Sequence, residues 1–316
     1  MRYIKDLRPG MQISEVYLVK SRQSAVTKNG KNYENVTLQD KTGTVDAKVW
    51  DPENPGINDF DAMDYVFVTG EIVQFQGRNQ LNIRRARVAG EDEYQQDDYF
   101  PTSEYDPEAM YQKLLKYVDG VEKEPLCRLL NSFFRDPDFS TEFKKHSAAK
   151  TIHHGFIGGL LQHTLSVVQF CDFLAGQYPI LKKDLLITAA MLHDIGKLKE
   201  LSPFPHNDYT DEGQLLGHIV IGYGMVKEHI QQIPDFPKTL EAELEHCILS
   251  HHGELEYGSP KKPALAEAMA LSIADNADAQ LESLAEALDR VAPGNLQWQG
   301  FNRLFDSNIR RTSSEG

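Results

Sequence analysis

Met191-Leu192-His193-Asp194-Ile195-Gly196-Lys197 places an imidazole beside a carboxylate at the end of an apolar helical run. The preceding residues, Leu185-Leu186-Ile187-Thr188-Ala189-Ala190-Met191-Leu192, are apolar almost all round. His193 falls four residues after Ala189 and seven after Leu186, and Asp194 four after Ala190, so both share the buried face. Gly196 is placed to stop the helix, with Lys197 just beyond it. Burying a carboxylate and an imidazole is costly unless something pairs with them, and a divalent cation is one such partner. The stretch therefore predicts a helical domain with a charged pair in its core, and asks whether the chain supplies further ligands.

Four other apolar-striped helices, expected over 156–175, 214–230, 240–252 and 264–288, each carry candidates. His163 lies on the stripe Leu160, Val167, Phe170, Cys171, Leu174. His218 follows Leu215 by three residues, and His251 continues the stripe Leu240, Leu244, Cys247, Ile248, with His252 four after Ile248. Asp275 follows Leu271 by four, on a helix whose alanines permit close approach. A lone histidine on an apolar stripe is ordinarily a hydrogen-bonded core residue, and His146, His206, His229 and His246 are read that way or as surface groups. Six or seven metal-capable residues on inward faces of separate helices are hard to satisfy as independent core groups. Imidazole and carboxylate donors favour a first-row divalent ion over calcium. No cysteine joins the set, which speaks against a structural zinc site.

The N-terminal part reads differently. Strands are expected over 11–27, 33–38, 44–50, 65–75 and 80–89, with a hairpin turn at Lys28-Asn29-Gly30-Lys31 and one or two helical turns near Phe60-Asp61-Ala62-Met63. Five short strands with an insertion between the third and fourth describe an OB-fold, a small Greek-key barrel used for single-stranded nucleic acid or oligosaccharide. Candidate nucleic-acid contacts are Tyr33, Lys48, Trp50, Phe75, Arg78 and Arg84, since aromatics stack on bases and cations follow phosphates. The competing reading is that Phe67, Phe75 and Trp50 fill the barrel, and that Arg84, Arg85 and Arg87 protect a strand edge.

The expected organisation is an OB-fold domain over 1–90, an acidic, proline-punctuated linker over 91–106, a helical domain over 107–292 and a C-terminal tail over 293–316, frayed at its end. Net charge is −14, but residues 1–90 carry a balance of +2 and the remainder −16, so basic patches can sit on the barrel of an acidic protein. Three scattered cysteines, Cys127, Cys171 and Cys247, read as reduced core thiols. With no apolar signal core at the N-terminus and no membrane-length apolar run, the expected setting is cytoplasmic, with no membrane partner. No Gly-x-Ser-x-Gly and no P-loop is present, which disfavours a serine nucleophile and ATP-driven chemistry.

The ordered series His163 … His193-Asp194 … His218 … His251-His252 … Asp275 resembles the HD superfamily of metal-dependent phosphohydrolases over about residues 107–290. By that resemblance His163, His193, Asp194 and Asp275 would hold one metal, and Asp194 would bridge to a second held by His218 and His251. His252 would be a ligand, a group behind the ligands or a phosphate contact. An OB-fold followed by an HD domain is similar to the YhaM family of bacterial 3′→5′ exoribonucleases. Further matching text is Ala148-Ala149-Lys150 with His153-His154-Gly155 ahead of Gly158-Gly159-Leu160, and Ser250-His251-His252-Gly253 followed by Tyr257-Gly258-Ser259-Pro260.

The resemblance implies a multidomain α and β chain, a five-stranded OB-fold barrel followed by an all-α HD-type domain. It implies metal-dependent hydrolysis of single-stranded RNA, and of single-stranded DNA as an alternative, to 5′-mononucleotides. Two divalent ions would orient water for in-line attack, manganese foremost, with iron, cobalt or magnesium as alternatives. Asp194 and Lys197 would act at the reacting phosphate, although a lysine there equally serves as a cation at a helix C-terminus. Family analogy also raises a homo-oligomer. The rival readings are an HD phosphohydrolase acting on a small nucleotide with a regulatory barrel, and a non-catalytic nucleic-acid-binding protein.

Overall fold

The structure is a computed structural model that describes residues 1–27, 29–95, 98–100, 102–150, 155–289, 291–292 and 294–313. Lys28 of the expected hairpin turn, Gln96, Asp97 and Pro101 of the expected linker, His153 and His154, and the last three residues of the tail lie outside the described residues. The chain forms two compact units, one of Met1–Thr102 with Phe204–His206, the other of Ser103–Pro203 with Asn207–Gly316.

In the first unit β1 (Gln12–Val26), β2 (Asn32–Asp40), β3 (Gly43–Val49), β4 (Tyr65–Phe75) and β5 (Arg78–Val88) close into a barrel in the order β1-β2-β3-β5-β4. That order, with β1 antiparallel to both β2 and β4 and β3 parallel to β5, is the OB-fold. Alternation builds it: Val45, Ala47 and Val49 of β3 point into the core while Asp46 stays outside. Gly70 sits at the irregularity between β4 and β5, where a Cβ would lie 2.2 Å from the Asn82 carbonyl oxygen, so no side chain fits.

Two expectations for this unit change, and the competing reading of its aromatics as barrel filling falls away. No helical turn forms at residues 60–63: the Met63 amide donates to the Val19 carbonyl at 2.7 Å and the Asp64 carbonyl accepts from Val19, drawing the segment alongside β1. Trp50 (51% exposed) and Phe75 (56%) do not fill the barrel, and Phe67 lies half-buried under the Arg87 guanidinium. Most of the acidic segment expected as a linker belongs to the barrel unit, because its aromatics cover the strands. Tyr94 stacks on Tyr65 at 3.8 Å, and buried Tyr99 donates its hydroxyl to the Val16 carbonyl at 3.2 Å.

The second unit holds α1 (Pro107–Asp119), α2 (Glu124–Phe134), α3 (Pro137–Lys145), α4 (Gly159–Gln177), α5 (Lys183–Leu192), α6 (Lys197–Glu200), α7 (Asp211–Gln231), α8 (Lys238–Leu249) and α9 (Ala266–Asp289). Side-chain caps from Asp106, Asp136 and Thr210 start α1, α3 and α7. α5 is buried at every position from Leu185 to Leu192 and packs against α4, α8 and α9, as an all-round apolar run requires. α7 is broken at Gly217 (φ 73°, ψ 156°), just before His218. The tail folds back as a two-stranded hairpin, β6 (Phe301–Asn302) with β7 (Ser307–Asn308), and Arg311 donates to the Leu288 carbonyl at 2.6 Å in the last turn of α9. Cys171 and Cys247 are buried free thiols and Cys127 is half-buried. Among the described residues no helix is long and apolar enough to cross a membrane.

Candidate metal centre

Two helix ends, those of α5 and α8, and three further helices, α4, α7 and α9, supply the cluster. α5 stops at Leu192, and His193, the next residue, donates Nδ1–H to the Ala190 carbonyl at 2.8 Å. α8 stops at Leu249, and His251 donates Nδ1–H to the Ile248 carbonyl at 2.7 Å. Both rings thus satisfy a carbonyl that a helix C-terminus leaves over, and both become locked with Nε2 as a lone pair. The sequence pattern extends both helices through these histidines; the structure ends them first and uses the rings in the ending. His163 of α4 donates Nδ1–H to Asp278 at 2.7 Å, His218 of α7 to Glu200 at 3.0 Å, and His252 to the Tyr257 carbonyl at 2.8 Å.

With every Nδ1 engaged, the Nε2 atoms converge on Asp194. The Nε2 atoms of His163 and His193 are 3.2 Å apart and lie 3.3 and 3.4 Å from Asp194 Oδ2; His163 Nε2 is also 3.2 Å from Asp275 Oδ1. The Nε2 atoms of His218 and His251 lie 3.5 and 3.7 Å from the other oxygen, Asp194 Oδ1. The ligand atoms of His163, His193 and Asp275 fall within 4.8 Å of one another, as do those of His218, His251 and His252. Asp194, His193 and His251 are buried.

The donor set fits metal ions. Asp194 Oδ1, His218 Nε2 and His251 Nε2 are buried without a hydrogen-bond partner. Three such atoms facing one point is a costly arrangement unless a cation completes it. Ligands bonded at about 2.1 Å to a shared ion stand roughly 3 to 3.5 Å apart, close to the spacings here. Imidazoles backed by a carboxylate or a main-chain carbonyl are the form in which histidine binds metal.

Electrostatics agree with a site built for positive charge. Burial pushes the Asp194 carboxyl up, but Lys197 and His193 outweigh it and hold it well below the usual range. Burial opposes charge on His163, yet hydrogen bonds to Asp194, Asp275 and Asp278 carry its pKa well above the ordinary value. Burial and the neighbouring His193 and His252 push His251 well below.

Two local expectations are corrected. Lys197 is not free beyond a helix end: it begins α6 and its Nζ lies 2.6 Å from Asp194 Oδ2. Gly196 is not a left-handed stop, since its φ is −61°. It is needed for space, because a Cβ there would lie 2.0 Å from the His218 carbonyl oxygen and 2.6 Å from the Gly222 nitrogen. His146, His229 and His246 have partners away from the cluster: His146 lies between the Ser147 and Leu201 carbonyls, His229 stacks on Phe133, and His246 accepts from the Ala264 amide. Asp278 and Glu200 were absent from the sequence reading. Asp278 had a signal, lying three residues after Asp275 on one face of α9; Glu200 had none.

The chain resembles known proteins along nearly its whole length. The HD domain family model matches residues 160–280. A 3′-5′ exoribonuclease YhaM of Bacillus velezensis is 37% identical over 94% of this chain and 95% of its own, and one of Bacillus subtilis 35% identical over 94% and 95%. This chain belongs to the YhaM family. Among solved structures, the second OB-fold domain of replication protein A from Methanococcus maripaludis aligns with 28% of this chain and 95% of its own at 16% identity, with a TM-score of 0.24. The OB-fold assignment for this YhaM-family barrel stands on its own strand order.

On the barrel, Asn35, Lys48 and Asn82 pair in one row across β2, β3 and β5. Tyr33 and Trp50 flank that row, their rings stacked at 5.2 Å, with Lys48 Nζ 5.1 Å from the Tyr33 ring and Trp50 Nε1–H donating to Asn82 at 2.9 Å. The structure thus brings together Tyr33, Lys48 and Trp50. Phe75 and Arg78 pair at the β4–β5 hairpin, and Arg84 is tied to Glu71 at 2.8 Å.

Proposed function

We propose that this chain is a metal-dependent 3′→5′ exoribonuclease that hydrolyses single-stranded RNA, and single-stranded DNA as a second substrate, to 5′-mononucleotides. The observation that supports it most is the convergence of three buried, unpartnered ligand atoms on one side of Asp194 and a second cluster on the other. In this reading His163, His193, Asp194 and Asp275 hold one ion, and Asp194, His218 and His251, with His252, hold the other. Bound divalent ions, manganese foremost, supply Lewis-acid activation of water and charge neutralisation at phosphorus.

The chain's own groups do the rest. Asp194 presents one oxygen to each cluster, and the locked imidazoles need no reorganisation when a phosphate arrives. Lys197 keeps a positive charge beside Asp194, where a phosphate oxygen can take it as a hydrogen-bond donor. Burial works against that ammonium, but Asp194 raises its pKa above the usual lysine value, so it stays charged. Tyr33 and Trp50 offer bases a stacking surface, while Lys48, Arg78 and Arg84 offer the backbone cations. The names of the relatives support RNA as polymer and the 3′ end as starting point.

The test is digestion of single-stranded RNA in Mn²⁺ by the wild type and Asp194→Ala, with a 5′-end label to follow chain length and chromatography to follow mononucleotide release. Stepwise shortening from the 3′ end, abolished in the variant, is expected. No release by the wild type, or equal release by both, would sink the proposal.

A further inference from the structure

Glu200 closes α6 with its side chain only 12% exposed. One oxygen, Oε1, accepts twice from a single residue: from the His218 backbone amide at 2.9 Å and from its Nδ1–H at 3.0 Å. The surroundings hold the Glu200 backbone, from which this carboxylate springs, in place. The Thr210 amide donates to the Glu200 carbonyl at 2.9 Å, and Gly213 packs so tightly there that a Cβ would lie 2.2 Å from the same oxygen. α7 breaks at Gly217, so His218 opens the second half of that helix, and the carboxylate sits at its new N-terminus.

A helix cap needs only the first of the two bonds. Locking a tautomer needs no carboxylate either, since main-chain carbonyls do it for His193, His251 and His252. Each ligand cluster nevertheless spends one part-buried carboxylate on one histidine, Asp278 on His163 and Glu200 on His218. A carboxylate behind an imidazole makes its far nitrogen a stronger donor as well as fixing the ring.

We propose that Glu200 is the positioning residue for the His218 half of the metal centre: through one oxygen it aims His218 Nε2 at Asp194 and sets the affinity for the ion held there. Asp278 does the same for His163 and the other ion. The proposal rests on the two-ion reading above. Its prediction is local: each carboxylate governs one ion and leaves the other.

Calorimetric titration of the chelator-stripped full chain with Mn²⁺ tests it, with Glu200→Gln, Asp278→Asn and wild type compared. Glutamine keeps an acceptor for both His218 donors, so the metal-free variant should melt with the wild type. Two ions per wild-type chain are expected, with one site weakened about 10- to 100-fold in Glu200→Gln and the other kept within about twofold. Asp278→Asn should weaken the site that Glu200→Gln spares. Unchanged affinities in Glu200→Gln, or equal weakening of both sites, would overturn the proposal and leave Glu200 as a helix cap. A wild-type chain that binds no Mn²⁺ would overturn the two-ion reading itself, and the proposal with it.

Discussion

Gly196→Ala is the substitution whose effect the geometry fixes most closely. At φ −61° and ψ −21° alanine meets no backbone strain at this position. On chain entropy alone it would stabilise the protein by about 0.4 to 1 kcal/mol. Space decides otherwise. The new methyl would lie 2.0 Å from the His218 carbonyl oxygen, where ordinary contact begins at 3.4 Å, and 2.6 Å from the Gly222 nitrogen. Both neighbours are backbone, so the turn after α5 and the kinked α7 must part by about 1.4 Å. Overpacking of this kind costs about 1 to 3 kcal/mol, which exceeds the entropic gain. The same displacement carries His218 away from Asp194, and a misplacement of about 1 Å in a reacting site can cost about 100-fold in rate. Urea unfolding and mononucleotide release, measured together, give the result. A variant as stable and as active as the wild type would refute the packing argument and the placement of His218 against this turn.

Other consequences are open to direct measurement. Mn²⁺ at about 100 times its dissociation constant should add about 2.7 kcal/mol per occupied site to unfolding stability, reversibly on chelation; an unchanged melting curve would mean that the orphaned histidines bind no ion. Trp50→Ala should weaken binding of single-stranded RNA by about 1 to 3 kcal/mol, or about 5- to 150-fold, while hydrolysis of a small phosphodiester stays at the wild-type rate. Burial pushes the Tyr65 and Tyr111 phenols up to about 12. A folded-state pKa above the unfolded value of about 10 gives stability that is complete below pH about 10 and lost as pH rises toward 12. Denaturant unfolding across that window, with phenolate absorbance as the monitor, checks it, and two phenols that ionise near 10 in the folded chain would contradict it.

The parts of the chain that were legible in sequence are those where one periodicity dominates. Val45, Ala47 and Val49 alternate with polar neighbours and become the inner face of β3. The residues that the structure gathers around Asp194 were legible because each breaks an apolar stripe with a group that burial penalises. What stayed hidden depends on distances between segments far apart in sequence. The need for glycine at 196 comes from the His218 carbonyl, and the Glu200 carboxylate acts on a ring eighteen residues on, across a break at Gly217 that an apolar stripe conceals. Lys197 looked free because it lay just past an expected helix end; in the structure it pairs with Asp194 at 2.6 Å. The acidic composition of residues 91–106 read as a linker because charge outweighed Tyr94 and Tyr99, whose rings cover the barrel.

In the proposed reaction the paired clusters around Asp194 direct water at the 3′-terminal phosphodiester of RNA. Digestion of single-stranded RNA with Mn²⁺ in ¹⁸O-enriched water, followed by mass spectrometry of the products, tests it most directly. The expected products are 5′-mononucleotides whose phosphate carries one ¹⁸O from each cleavage, with none released by the Asp194→Ala chain. Unlabelled products ending in a 2′,3′-cyclic phosphate, or labelled release that survives the loss of Asp194, would contradict it.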